Sequence, residues 1–166
     1  MESILTFPRT VFREDHEMLR HTVRRFLERE CLPRQAQWDR DGMVDRETWL
    51  KAGREGLLCT ALDPEWGGAG GDFGHSAVIV EEIARSGVGG LGFGLHSDVV
   101  APYIARLGTP EQKRRWLPAC ACGEKILAVA MSEPGAGSDL KAIRTTARRE
   151  GDHYVIQGAK TFISNG

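Results

Sequence analysis

The spacing of apolar residues changes once along this chain, near Lys125, and that change decides the fold class. From Val11 to Cys31 the apolar residues Met18, Leu19, Val23, Phe26 and Leu27 recur at three- and four-residue intervals, the period of one helix face. Arg20, Arg24, Arg25, Glu28 and Arg29 fall between them. The stretch predicts an amphipathic helix ending at "CLP", because Pro33 lacks an amide hydrogen and its ring crowds the preceding turn. A second helix is predicted from Asp45 as N-cap, through Trp49 and Leu50, toward Gly56. "DPEWGGAGGD" then reads as a turn-rich loop. A third helix is expected over Phe73 to Arg85. Its residues Ala77, Val78, Val80, Ile83 and Ala84 are apolar nearly all round, which predicts burial. A fourth is expected over His96 to Leu107. "GTPEQKRRWL" opens a fifth, with Thr109 as cap, Pro110 at the first helical position and Gln112 completing a capping box.

Beyond Lys125 the pattern differs. "ILAVAMS" is a short unbroken apolar run, which predicts a strand buried on both faces. "IRTTARRE", "HYVIQG" and "KTFIS" are β-like, with the turn "EGD" between the first two. The expected fold is mainly α. A helical domain over residues 1–124 leads into the first strands of an antiparallel β domain over residues 125–166. So small a strand set cannot bury a core of its own. The chain therefore reads as part of a larger fold.

Composition excludes several function classes. The chain has 166 residues, 41% of them hydrophobic and 27% charged, as in an ordinary soluble domain. The net charge of −1 gives no basic field for nucleic acid or an anionic membrane. No apolar run approaches the ~20 residues of a membrane span. The opening "MESILTFPRTVFRED" lacks a signal-like apolar core, so a cytoplasmic location is expected. Cys31, Cys59, Cys120 and Cys122 form no CxxC pair and share no zinc-like spacing with the five histidines, so no metal is expected and the thiols read as free and mostly buried.

Several segments carry candidate chemistry. "GVGGLG", Gly87 to Gly92, matches a dinucleotide fingerprint literally. However, a helix precedes it and no βαβ unit follows, so it reads as a helix–helix connection. Gly90, Gly92 and Gly94 remove side-chain volume at the start of a helix, where a ligand could gain space. "SEPGAGSD" offers backbone freed by Gly135 and Gly137 together with the hydroxyls of Ser132 and Ser138. On residue types alone, a polar turn capped by Ser138 or Asp139 is the plainer reading. Glu133 reads as an acceptor for backbone N–H groups rather than a catalytic acid. His96 reads as a packed or surface histidine, and Lys113-Arg114-Arg115 as a solvated helix face.

Taken together, "AMSEPGAGSDL", "KTFISNG", "PEWGGAGGD" and "LHSDVVAPYIARLGTPEQKRRWLP" resemble, in order, segments of the acyl-CoA dehydrogenase family. The resemblance runs from about Phe12 to Gly166. "WLKAGREGLL", "GFGLHSDVVAPYI" and "KTFISNG" look most like the long-chain branch. It implies an N-terminal helical domain, a middle β domain and a C-terminal four-helix domain. It also implies FAD as cofactor and acyl-CoA as substrate. Val129, Ala130, Met131, Ser132 and Glu133, continuing through Pro134, Gly135, Ala136, Gly137 and Ser138, would line the flavin. Ser132 would bond the pyrimidine side of the isoalloxazine, and Ser138 the CoA portion of the substrate. Phe162, Ile163 and Ser164 would form the second flavin segment, with Phe162 packed on the ring and Ser164 at the N5/O4 edge. Phe162 stands where many members carry tryptophan, and Ser132 and Ser164 where many carry threonine. These departures keep the aromatic face and the hydroxyls.

By the same resemblance, the whole enzyme would oxidise acyl-CoA to trans-2-enoyl-CoA in fatty-acid β-oxidation. It would pass electrons to an electron-transfer flavoprotein and assemble as a homotetramer. Gly90 and Gly94 fall where bulkier groups close the acyl pocket in shorter-chain relatives, so a long-chain preference is expected. The family's catalytic glutamate is expected beyond Gly166, and no residue of this chain is assigned that role. The chain alone is therefore expected to be inactive. A same-fold alternative is an acyl-CoA oxidase. An alternative of another class is a non-catalytic helical remnant or interaction module.

Overall fold

A computed structural model describes residues 10–166. The leader reading rests on residues 1–15, of which residues 1–9 lie outside the described chain. The described chain divides into two compact units, one ending at Ile126 and the other running from Leu127 to Gly166. The first unit is helical, with α1 Glu14–Phe26, α2 Gln35–Asp41, α3 Arg46–Arg54, α4 Phe73–Ser86, α5 Ala101–Leu107 and α6 Pro110–Ala121. The local signals explain the starts. The Asp45 carboxylate accepts from the Thr48 amide at 2.8 Å. Thr109 and Gln112 close a reciprocal box at 3.3 and 2.8 Å. Such caps satisfy amides that have no partner inside the helix.

The core of this unit is aromatic at its centre. Phe93 packs edge-on against Trp49 at 4.9 Å between ring centroids and tilts against Phe26 at 6.5 Å. Val23, Leu27, Leu57, Leu58 and Ile79 close around them, all buried. Each such side chain contributes about 1.5–3 kcal/mol by leaving water. Helices α1 and α4 are also joined by charge. Glu82, only 3% exposed, accepts from Arg20 at 2.9 Å and from Arg24 at 3.0 Å. Burial alone would push its carboxyl up, but the two guanidinium groups win and hold it below the ordinary range.

Two expectations for the helices are corrected. The first helix does not end at Pro33. A π-helical turn, Leu27–Cys31, follows α1, and a 3₁₀ turn, Leu32–Arg34, carries the chain through the proline into α2. In the π turn the Leu32 amide bonds the Leu27 carbonyl, five residues back. The extra residue moves the proline ring off the carbonyl it would strike in an α register. The same device recurs in the fourth helix. There a π segment, Leu95–Val100, precedes α5, the Ala101 amide bonds the His96 carbonyl, and Pro102 follows. Helix α4 is buried on one face rather than all round. Val78, Ile79 and Glu82 are inside, while Val80 and Phe73 are exposed at 50% and 84%.

The second unit holds one antiparallel hairpin, β1 Thr146–Glu150 with β2 His153–Gln157, in the register Thr146 to Gln157 and Glu150 to His153. Gly151, at φ +65°, takes the first position of the two-residue turn, where mirror-image hairpin turns need a left-handed backbone. Three β expectations are corrected. "ILAVAMS" forms no strand and its residues are half-buried or exposed. "KTFIS" is likewise not a strand, and only the second half of "IRTTARRE" pairs. The reason is that a strand exists through its neighbour's backbone. Around residues 127–132 the bonds include those from the Asn165 side-chain amide to Leu127, the Lys160 ammonium to Met131 and the Thr161 amide to Ser132, two of them from side chains and so outside any ladder.

Candidate functional site

The "SEPGAGS" segment is a tight turn closed on itself. The Glu133 amide bonds the Ala136 carbonyl at 2.9 Å, and the Ala136 amide returns to the Glu133 carbonyl at 3.1 Å. Pro134 and Gly135 form the tip, and Ala136 is buried beneath it. Asp139 caps the following 3₁₀ turn, Leu140–Ala142, by accepting from the Lys141 amide at 3.1 Å. Neither Gly135 nor Gly137 takes a left-handed backbone. A Cβ built on either meets no atom within 4 Å. Nothing in this chain requires glycine there, so the bare backbone faces open space. Ser132 is half-buried, while Ser138 is exposed.

Glu133 anchors the turn. Its carboxylate accepts from the Arg144 amide at 2.7 Å and the Thr145 amide at 2.9 Å, and pairs with the Lys160 ammonium at 2.9 Å. Its pKa is held down to about 2 by the adjacent Thr145 hydroxyl, then the Arg144 amide and the Lys160 ammonium. That hydroxyl lies near enough to favour the charge, although Thr145 Oγ1 is buried and meets no ordinary hydrogen-bond geometry. A carboxylate so committed is a poor proton acceptor near neutral pH.

The second candidate segment lies beside the first. The Thr161 amide donates to the Ser132 carbonyl at 3.0 Å, and Lys160 Nζ to the Met131 carbonyl at 2.9 Å. Phe162 follows with φ +55° and 94% exposure. A left-handed backbone is uncommon for a bulky side chain, and here it turns an aromatic ring wholly outward. Ile163 is half-buried and Ser164 exposed. Sequence reasoning brought residues 129–138 and 162–164 forward separately. It passed over Lys160, whose ammonium reaches from the second segment to the first, and Arg144 and Thr145, whose amides hold Glu133. The one available signal was a lysine just before "TFISNG" with a carboxylate in the other motif.

The helical unit places its candidates differently. Gly90 sits at φ +79°, and a Cβ there would touch Val44 at 3.5 Å. Gly94 has an ordinary backbone, and a Cβ there would meet Val80 and Asp98 at 3.7 and 3.8 Å. Gly87 ends α4 in a left-handed cap, so "GVGGLG" is a helix–helix connection. His96 is fully buried, packs on Trp49 at 5.4 Å between ring centroids and lies 3.1 Å from the Cys120 carbonyl through Nε2. Burial lowers its pKa. The neighbouring Cys59 thiol is pushed up to about 12 by burial, which leaves it an inert thiol. Asp15, His16 and His75 bring possible ligand atoms within 4.8 Å of one another. Both imidazoles are committed to capping, however. His16 Nδ1 accepts from the Arg13 amide and His75 Nδ1 from the Asp72 amide, each at 3.1 Å. The Arg13 guanidinium already pairs with Asp15 and Asp72.

Comparison with known proteins agrees with this layout. Residues 13–124 match the model for "Acyl-CoA dehydrogenase, N-terminal domain" and residues 128–166 that for "Acyl-CoA dehydrogenase, middle domain". The chain is 45% identical over 158 residues to the mitochondrial long-chain specific acyl-CoA dehydrogenase of Sus scrofa, covering 95% of this chain and 37% of that protein. It superposes on the crystal structure of acyl-CoA dehydrogenase from Geobacillus kaustophilus with a TM-score of 0.90 at 50% identity, covering 95% of this chain and 41% of the other. For the acyl-CoA dehydrogenase of Bacillus anthracis complexed with FAD, the TM-score is 0.80 at 36% identity, with 95% and 28% covered. The chain thus spans well under half the length of these relatives. Among the described residues, no helix is long and apolar enough to cross a membrane. With both its helical and its β residues matched, the chain belongs to the acyl-CoA dehydrogenase family.

Proposed function

We propose that this chain supplies the flavin-facing loops and part of the acyl-CoA cleft of an enzyme that oxidises long-chain acyl-CoA to trans-2-enoyl-CoA in fatty-acid β-oxidation. The observation that carries the reading is the meeting of residues 129–138 with residues 160–164 through the Thr161 to Ser132 bond, beside the outward Phe162 ring. Residues 1–124 act as the helical domain and residues 125–166 as the start of the β domain. FAD fits the exposed features: Gly135 and Gly137 leave backbone bare toward open space, and Phe162 offers an uncovered aromatic face.

Val129 to Ser138 would line the flavin. The Ser132 hydroxyl would bond the pyrimidine side, Phe162 would pack on the ring beside Ile163, and Ser164 would reach the N5/O4 edge. Such donors favour negative charge developing on the ring system. Bound FAD would supply the two-electron acceptor for the hydride leaving Cβ. Ser138 would contact the CoA portion and so help hold Cβ within reach. Gly90 and Gly94 would leave the acyl pocket deep. No carboxylate of this chain is assigned as base, since Glu133 is committed to its amides and to Lys160. An electron-transfer flavoprotein as electron acceptor, a homotetrameric assembly and a cytoplasmic location complete the proposal.

The test is reconstitution of the whole protein with FAD, followed by anaerobic titration with acyl-CoA thioesters of graded length. Bleaching of the oxidised flavin that is strongest with long chains supports the reading. Failure to take up FAD overturns it. Strongest bleaching with short chains overturns the long-chain preference, and peroxide release in air converts the reading to an oxidase.

A further inference from the structure

We propose that Lys160 is a positioning residue whose ammonium sets the register of residues 160–164 against residues 129–138. The inference rests on the flavin reading above, because those are the two segments assigned to the flavin. Three consecutive residues of the first segment are held by two consecutive residues of the second. The Met131 carbonyl accepts from Lys160 Nζ at 2.9 Å, the Ser132 carbonyl from the Thr161 amide at 3.0 Å, and Glu133 Oε1 pairs with Lys160 Nζ at 2.9 Å. The Lys160 side chain is 23% exposed and that of Glu133 7%, so the pair is partly shielded from water and from salt. Glu133 is fixed in turn by the Arg144 and Thr145 amides.

The ammonium therefore ties a carbonyl and an anchored carboxylate on either side of Ser132. Two residues downstream of Lys160 stands the outward Phe162, and four downstream Ser164. No β-ladder joins the segments, so register cannot come from backbone pairing. One backbone bond, Thr161 to Ser132, and the Asn165 side-chain amide on Leu127 hold the second segment at its middle and its far end, and the two contacts of Lys160 fix its near end on either side of Ser132. A displacement near 1 Å between the hydroxyl of Ser132 and the ring of Phe162 is enough to matter for chemistry on a bound group.

The experiment compares wild type, Lys160→Met and Lys160→Arg. Methionine keeps the apolar stem and removes the charge, while arginine keeps a donor. Amide hydrogen exchange is read on the labelled chain. FAD binding and the flavin absorption band are read on the whole reconstituted protein. The expected result for Lys160→Met is exchange faster by roughly tenfold or more at the Thr161 amide, the scale of one charge-assisted hydrogen bond, with the β1–β2 amides unchanged. Lys160→Arg restores most of the protection. In parallel, Lys160→Met weakens FAD binding and shifts the flavin band, and Lys160→Arg recovers part of both. Unchanged exchange at Thr161 in Lys160→Met overturns the proposal. A uniform rise that includes the hairpin also overturns it, because Lys160 is then a general stabiliser. Faster exchange at Thr161 with FAD affinity and band unchanged overturns the role toward the flavin. If wild type takes up no FAD, the flavin reading fails, and the exchange arm alone decides whether Lys160 sets the register.

Discussion

Residues up to 126 bury Phe26, Phe93, Trp49, Leu57 and Leu58 in one aromatic and aliphatic cluster, whereas from residue 127 to 166 only Ala136 and Glu133 are buried among the described residues. Stability in the helical unit therefore rests on area taken from water, with hydrogen bonds and ion pairs fixing its helix ends and the α1–α4 contact. In the β unit the order reverses. Its hairpin strands are exposed along their whole length, and its turn is organised around a charge. The proposed flavin contacts lie in the unit without an apolar core of its own. That unit spends its polar groups on shape, and its loop tips stay open for a bound group.

The sharpest way to break this contrast is Phe93→Ala. Removing a ring that touches both Trp49 and Phe26 should cost about 3–5 kcal/mol, read as a shift in urea unfolding followed by helical circular dichroism. Exchange in the β1–β2 hairpin should stay as in wild type under conditions where the helices remain folded. If the hairpin loosens in step, the two units are one cooperative body and the contrast fails. Glu82→Gln comes next. It removes one of the three carboxylates around Arg20, which is 9% exposed and keeps Glu17 and Glu81, while Arg24 can turn to water. The expected loss is about 1–3 kcal/mol, and a neutral result would mean that the Arg20–Glu81 pair and the apolar residues suffice to hold the α1–α4 contact. Thr109→Ala removes one cap at the exposed start of α6 and should cost about 1 kcal/mol.

The helical unit was legible where its causes are local. Asp45, Thr109 and Gln112 cap within three residues of themselves, so a short window of sequence contains the whole interaction. Pro33 and Pro102 were not legible in the same way. The rule that proline ends a helix assumes α register, and the π turns before both prolines depend on bonds to a carbonyl five residues back. In the β unit, "ILAVAMS" shows only that its side chains are apolar. Its partners are the Asn165, Lys160 and Thr161 groups, about thirty residues later in the chain. The motifs of the candidate site could be read one segment at a time, but the pairing of Lys160 with Met131 and Glu133 exists only once the chain has folded back.

The smallest effect expected on global stability is also the one most specific to the β unit. Glu133 has a folded pKa of about 2 against an ordinary 4.5, set by the Thr145 hydroxyl, the Arg144 amide and the Lys160 ammonium. Its pKa is depressed on folding, so its contribution is present in full above the unfolded value and is lost as pH falls through the folded one. Exchange at the Arg144 and Thr145 amides, corrected for the intrinsic pH dependence of exchange, should therefore hold constant down to about pH 4.5. It should quicken between there and about pH 2. Glu133→Gln should abolish that step and show faster exchange at all pH values, because a neutral amide replaces a charged acceptor with a weaker one. Helical circular dichroism at neutral pH should not change in that variant. A step that persists in Glu133→Gln would assign the titration to another carboxylate. Loss of helix at neutral pH would show that the charge-centred turn and the apolar core are not separable.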